Sequence, residues 1–186
     1  MPRKPKRIPQ IITDEQLKKI ISAMMSENRK KRNDFIKIRN VTMILLQYFL
    51  GLRPRESRCI RISDISFQDK TLFIPAENNK QRNSDTIPIP NFIFNLIRNY
   101  IDKIPKKTIW LFPSHYKKDK PVDRGSHRKF FMDALIKAKL IHTAYIDGKF
   151  NPRYNLTLYS LRHSFGTFAY NKLKDIPKTS ILLRHY

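Results

Sequence analysis

At 186 residues, 40% hydrophobic and 11% aromatic, the chain carries enough apolar material to bury the core of one large domain or two small ones, which excludes a wholly disordered polymer. Its 38 Lys and Arg against 15 Asp and Glu give a formal charge of +23. That surplus repels itself in a compact state and points to a polyanionic partner, nucleic acid first and an anionic membrane surface or a ribosome after it.

The N-terminal residues 1–11 read as a basic, proline-containing arm with little to pack. The arm lacks the apolar stretch of a secretory leader, so the chain is expected in the cytoplasm. Thr13 followed by Gln16 forms a capping-box pattern, and Leu17, Ile20, Ile21 and Met24 continue it at helical spacing. Residues 27–33 are polar and highly charged and read as a loop. A second helix is expected from Asp34 to about Leu50, with Ile38, Val41, Ile44, Leu45 and Tyr48 turned inward and Gly51 at its C-terminal end. The apolar run through Val41–Leu52 is too short to span a bilayer and reads as a buried helix. Pro54 suits the first position of a short third helix reaching Ile60.

Strand patterns follow at Ile65–Phe67, Leu72–Pro75 and Thr86–Ile89, the last two separated by a polar loop that contains Lys80. Helical patterns return at Asn91–Lys103, Ser126–Leu140 and Leu156–Leu173. Trp110–Pro113 reads as a short buried segment, Ile141–Asn155 as irregular, and Pro177–His185 as a last short helix. The fold class expected is α+β, mostly helical with a small antiparallel sheet. The single cysteine, Cys59, excludes an internal disulfide, and no Cys/His cluster has zinc spacing, so no structural metal is expected.

Cutting a DNA strand without a metal needs arginine forks for the phosphate, a proton donor for the leaving oxygen, a base and a nucleophilic hydroxyl. Four segments offer such groups. Arg53 lies at the corner Gly51-Leu52-Arg53-Pro54-Arg55-Glu56, where a helix start favours an anion and Glu56 can hold the guanidinium. Arg162 and His163 interrupt an apolar helical face in Tyr159-Ser160-Leu161-Arg162-His163-Ser164-Phe165. Lys80 sits in the polar loop, and Arg184-His185 near the end. Taken singly, each also reads as an ordinary surface residue.

Together they resemble the motifs of tyrosine recombinases, the phage-type integrases. Gly51-Leu52-Arg53-Pro54-Arg55-Glu56, followed by Ile60-Arg61-Ile62-Ser63-Asp64-Ile65, is similar to that family's G-L-R-x-x-E box and the L-x-x-x-D-I that follows. Leu161-Arg162-His163-Ser164-Phe165 resembles the H-x-L-R-H-x-F box, with Tyr159 at its first histidine. Lys80 stands where the family has its β-hairpin lysine, Trp110-Leu111-Phe112-Pro113 is similar to an "lFps" segment, and Ile181-Leu182-Leu183-Arg184-His185 resembles L-L-G-H with Arg184 in place of glycine.

The resemblance implies the catalytic-domain fold of DNA breaking–rejoining enzymes and site-specific recombination or integration of double-stranded DNA through a 3′-phosphotyrosine intermediate. Arg53 and Arg162 would clamp the scissile phosphate, Lys80 would protonate the leaving 5′-oxygen, His163 would act as base, and His185 would hydrogen-bond the phosphate, with Tyr159 at the remaining position. It also implies several copies assembled on DNA, no membrane, and neither metal nor cofactor. The family's nucleophilic tyrosine would fall beyond Tyr186, so residues 12–186 are expected to form a catalytic domain without its C-terminal tyrosine segment and without an N-terminal core-binding domain. The alternatives are a non-catalytic DNA-binding remnant or regulator with the same fold, a fragment of a partitioned integrase, and, on charge alone, an RNA- or ribosome-binding protein.

Overall fold

The computed structural model describes residues 10–26, 34–78, 82–146 and 152–185. The expectations for Lys80, for Tyr186 and for most of the N-terminal arm lie outside these residues. Helix α1 (Asp14–Met25) opens on the expected capping box: Thr13 Oγ1 accepts the Gln16 amide at 3.3 Å, and Gln16 Oε1 accepts the Thr13 amide at 3.0 Å.

Helix α2 (Asp34–Leu50) is the spine of the molecule. A single inward stripe was expected on it, but the helix is covered on two sides. Met43, Leu46 and Leu50 enter one apolar cluster with Leu52, Ile93 and Phe112, while Val41 and Ile44 enter a second with Leu17, Phe131 and Leu161. Ile38, Leu45 and Tyr48 are only half-buried. A helix packed on both sides cannot show a one-face period, so the pattern overstated some residues and missed others.

Helix α3 (Pro54–Arg58) stops short of the expected Ile60. The chain beyond it is claimed by Trp110's neighbours: the Leu111 amide donates to the Ile60 carbonyl at 2.9 Å and the Ile62 amide to the Ile109 carbonyl at 2.8 Å. Strands β1 (Ile65–Ser66), β2 (Thr71–Ile74) and β3 (Asp85–Pro88) form an antiparallel meander in the order β1-β2-β3, with Ile65 opposite Leu72 and Leu72 opposite Ile87. Helices α4 (Asn91–Ile101) and α5 (Arg124–Lys137) follow. The stretch expected to be irregular instead holds a hairpin of β4 (Thr143–Ile146) and β5 (Pro152–Tyr154). Thr143, Ala144 and Ile146 on β4 are all exposed, so no core-facing alternation marked that strand in the sequence.

Helices α6 (Leu158–Leu173) and α7 (Ile176–Leu182) complete the fold, with α6 packed on α2 and α7 on α6. The α2–α3 corner meets α6 at Gly51. Its φ of +60° lies in the left-handed region, and an added Cβ would fall 2.4 Å from the Phe165 ring. Gly51→Ala should therefore lose about 2–5 kcal/mol of stability, backbone strain and overpacking combined. Urea unfolding measures this; a loss below about 1 kcal/mol would show that Phe165 yields.

Candidate active site

Three parts of the chain meet at one buried carboxylate. The first is the α2–α3 corner. Arg53 has extended backbone before α3, and Glu56 in the first helical turn folds back on it. Glu56 Oε2 accepts the Arg53 amide at 2.7 Å, and Oε1 accepts the Arg53 guanidinium at 2.7 Å. The second part is α6, which carries Arg162 into the same recess. Its Nη1 donates to the Gly51 carbonyl at 2.6 Å, its Nη2 donates to the Leu183 carbonyl, and it lies 3.8 Å from Glu56 Oε2.

The third part is the turn after α7. Arg184 Nη2 pairs with Glu56 Oε2 at 2.8 Å and lies 3.3 Å from the Gly51 carbonyl, while the Arg184 carbonyl accepts Arg53 Nη2 at 3.0 Å. Glu56, Arg162 and Arg184 are almost wholly buried, at 2%, 4% and 1% exposure. Three guanidiniums share one carboxylate, so the recess carries a surplus of positive charge in a low dielectric, which suits it to an anion.

Helix α6 is anchored from behind. Ser164 Oγ accepts the Ile12 amide at 2.7 Å and donates to the Ser160 carbonyl at 2.8 Å, tying the approach to α1 to the helix that presents Arg162. His163 follows Arg162 on α6 and is exposed, and His185 is exposed in the turn after α7. Tyr159, 55% exposed, starts the same helix.

The electrostatics follow from this crowding. Burial pushes the Glu56 carboxyl up, but the Arg184 charge and the hydrogen bonds and charge of Arg53 hold it below the ordinary carboxylate value. Burial, then the charges of Arg53 and Arg184, push the Arg162 guanidinium down to about 9, with Glu56 and Tyr159 opposing; it remains a cation at neutral pH. Burial and then Arg162 lower His163. Burial, then Arg162, Arg53, Arg184 and His163, lower His185. Both imidazoles are therefore neutral at pH 7, and a neutral imidazole can accept a proton.

Of the residues singled out in the sequence, Arg53 and Arg162 come together around Glu56, which holds Arg53 as the corner motif suggested. His163 and His185 stand within the electrostatic reach of Arg162. Sequence reasoning noted Arg184 only as a departure from glycine and missed that its side chain enters the recess. The Gly51 and Leu183 carbonyls that aim Arg162 were also missed, since a backbone acceptor leaves no trace in residue identity.

The sequence pattern of the phage integrase family matches residues 10–186, and so extends across both arginine motifs and the Arg184 turn. The chain belongs to the phage integrase family. It is 27% identical over 184 residues to tyrosine recombinase XerA of Pyrococcus furiosus, covering 99% of this chain and 56% of that protein. It is 24% identical over 189 residues to tyrosine recombinase XerC of Halalkalibacterium halodurans, again covering 99% and 56%. The chain thus spans about half the length of these curated relatives.

Among solved structures, XerH site-specific recombinase bound to palindromic difH substrate, in a post-cleavage complex, superimposes with a TM-score of 0.71 at 20% identity, covering 96% of this chain and 47% of that one. The Tn1549 transposon integrase in complex with transposon right end DNA gives 0.73 at 14% identity, covering 98% and 60%. At such identities these likenesses establish the fold, and the expected α+β class with its small antiparallel sheet holds. Among the described residues, no helix of this family member is long and apolar enough to cross a membrane.

Proposed function

We propose that this chain is the catalytic portion of a site-specific recombinase that cuts and rejoins duplex DNA. One observation carries the reading: Arg53 and Arg162, far apart in sequence, converge with Glu56 on one recess that holds more guanidinium than carboxylate. In a chain of formal charge +23, a DNA phosphate is the anion that fits.

In this reading Arg53 and Arg162 bind the non-bridging oxygens of the scissile phosphate, where charge grows in the transition state. A tyrosine hydroxyl attacks phosphorus and passes its proton to His163. The P–O5′ bond breaks, the leaving 5′-oxygen takes a proton from Lys80, and a 3′-phosphotyrosyl ester forms. His185 donates a hydrogen bond to the phosphate, and Tyr159, at the rim, supplies a phenol to the same oxygens. Attack by the 5′-hydroxyl of another strand reverses the steps, so bond energy is retained and no nucleotide cofactor is required. The remaining lysines and arginines set the duplex on the protein through its backbone.

The test is a covalent one. The gene product, incubated with nicked duplexes of randomised sequence, is expected to give a protein–DNA band that survives denaturing electrophoresis. Salt-sensitive DNA binding with no such band would replace this reading with that of a binding-only protein.

A further inference from the structure

The turn after α7 has a geometry made for glycine. The His185 amide donates to the Ser180 carbonyl at 3.0 Å and the Arg184 amide to the Ile181 carbonyl at 2.8 Å, the paired bonds that end a helix with a left-handed residue. That residue is Arg184, at φ 54°. A non-glycine residue there carries backbone strain, because its Cβ crowds the following carbonyl. Burying a guanidinium adds a second cost, and Arg184 Nε has no hydrogen-bond partner among the described residues. Two penalties at one position require a compensating interaction, and the Arg184 side chain makes its contacts at Glu56 and at the Gly51 carbonyl.

What this achieves follows from the distances. Glu56 Oε1 is taken by the Arg53 guanidinium, and Oε2 by the Arg53 amide and Arg184. Arg162 is left 3.8 Å from Oε2, held on two backbone carbonyls. Without Arg184, Oε2 would be open to Arg162, which would close on the carboxylate and be neutralised by it. We propose that Arg184 is a positioning residue: by occupying Glu56 it keeps Arg162 under-compensated and aimed at the phosphate. The inference rests on reading the recess as a phosphate clamp and adds a residue that acts through Glu56 and Arg162, without itself touching the reacting atoms.

The experiment titrates inorganic phosphate into the chain at fixed ionic strength and follows the ring protons of His163 and His185 by NMR. These imidazoles report the recess separately from phosphate bound elsewhere on a basic surface. Arg184→Gly, which relieves the backbone strain, is expected to weaken phosphate at these histidines roughly tenfold. Arg184→Lys, which keeps the charge, should stay within about threefold of the parent. The same titrations in pH should show His185 moving up in Arg184→Gly and not in Arg184→Lys, because one of the charges that lowers it is gone.

A purely structural role predicts a changed melting temperature with unchanged phosphate affinity and His185 titration, and that result overturns the proposal. Should Arg184→Gly not fold, Arg184→Gln keeps the strain and the bulk without the charge and is read in its place; loss of the fold in both makes Arg184 structural and also overturns it. A parent chain whose histidines ignore phosphate defeats the clamp itself. Phosphate binding that is equal in the parent and Arg184→Gly defeats only the inference about Arg184.

Discussion

Arg162→Ala is expected to cut DNA strand cleavage by the full gene product by about a thousandfold or more, while DNA affinity falls less than about tenfold. The asymmetry comes from where the charge sits. Arg162 is 4% exposed and aimed by two carbonyls, so its guanidinium meets the phosphate already oriented and in a low dielectric. Overall affinity is spread over a formal charge of +23, of which this residue is one part. Alanine also removes the Arg162 hydrogen bonds to the Gly51 and Leu183 carbonyls, the first of which keeps only the longer one from Arg184, so some stability is lost and rates must be taken on folded protein. Arg162→Lys separates the two effects, because it keeps a cation but cannot reach both carbonyls and the phosphate as a fork. Single-turnover cleavage of a nicked duplex is the measurement. Cleavage that persists in Arg162→Ala would remove Arg162 from the mechanism.

The site was legible in the sequence to the extent that side-chain identity carries it. Arg53 and Glu56 lie three positions apart at a helix start, and Arg162 lies on an apolar helix, so motif and spacing sufficed to pair them. What stayed hidden was the geometry that decides how they meet. Gly51 suggested a helix end, yet its larger role is to let Phe165 approach and to turn a carbonyl toward Arg162, both set by residues of α6 far along the chain. Arg184 looked like a loss of glycine, whereas its side chain is the added element. In the fold, the long exposed-to-buried patterns of α1 and α4 were readable because each buries one side against the core. α2 misled because both sides are covered, and β4 was invisible because Thr143, Ala144 and Ile146 on it are exposed.

Glu56 is the residue on which this cluster depends, and Glu56→Gln is expected to destabilise the fold by about 3–5 kcal/mol at pH 7. The amide keeps the shape and still accepts from the Arg53 backbone, but it leaves three guanidiniums facing one another with no counter-charge. Two consequences distinguish this from ordinary loss of packing. Added phosphate or sulfate should restore more stability to Glu56→Gln than to the parent, because an anion in the recess replaces the missing carboxylate. The acid limb should also change. Glu56 has a folded-state pKa below its unfolded value, so its stabilisation is fully present above about 4.3 and is lost as pH falls toward the lowered folded value. The parent should therefore lose stability through that window, and Glu56→Gln should lack this share of the loss, so that the two converge in acid. Urea unfolding at pH 7 and at about pH 3, with and without sulfate, measures all three effects. Equal stability of the two proteins at pH 7 would mean that the arginines disperse to solvent when the carboxylate is gone. The recess would then be an adaptable surface and not a preformed anion site.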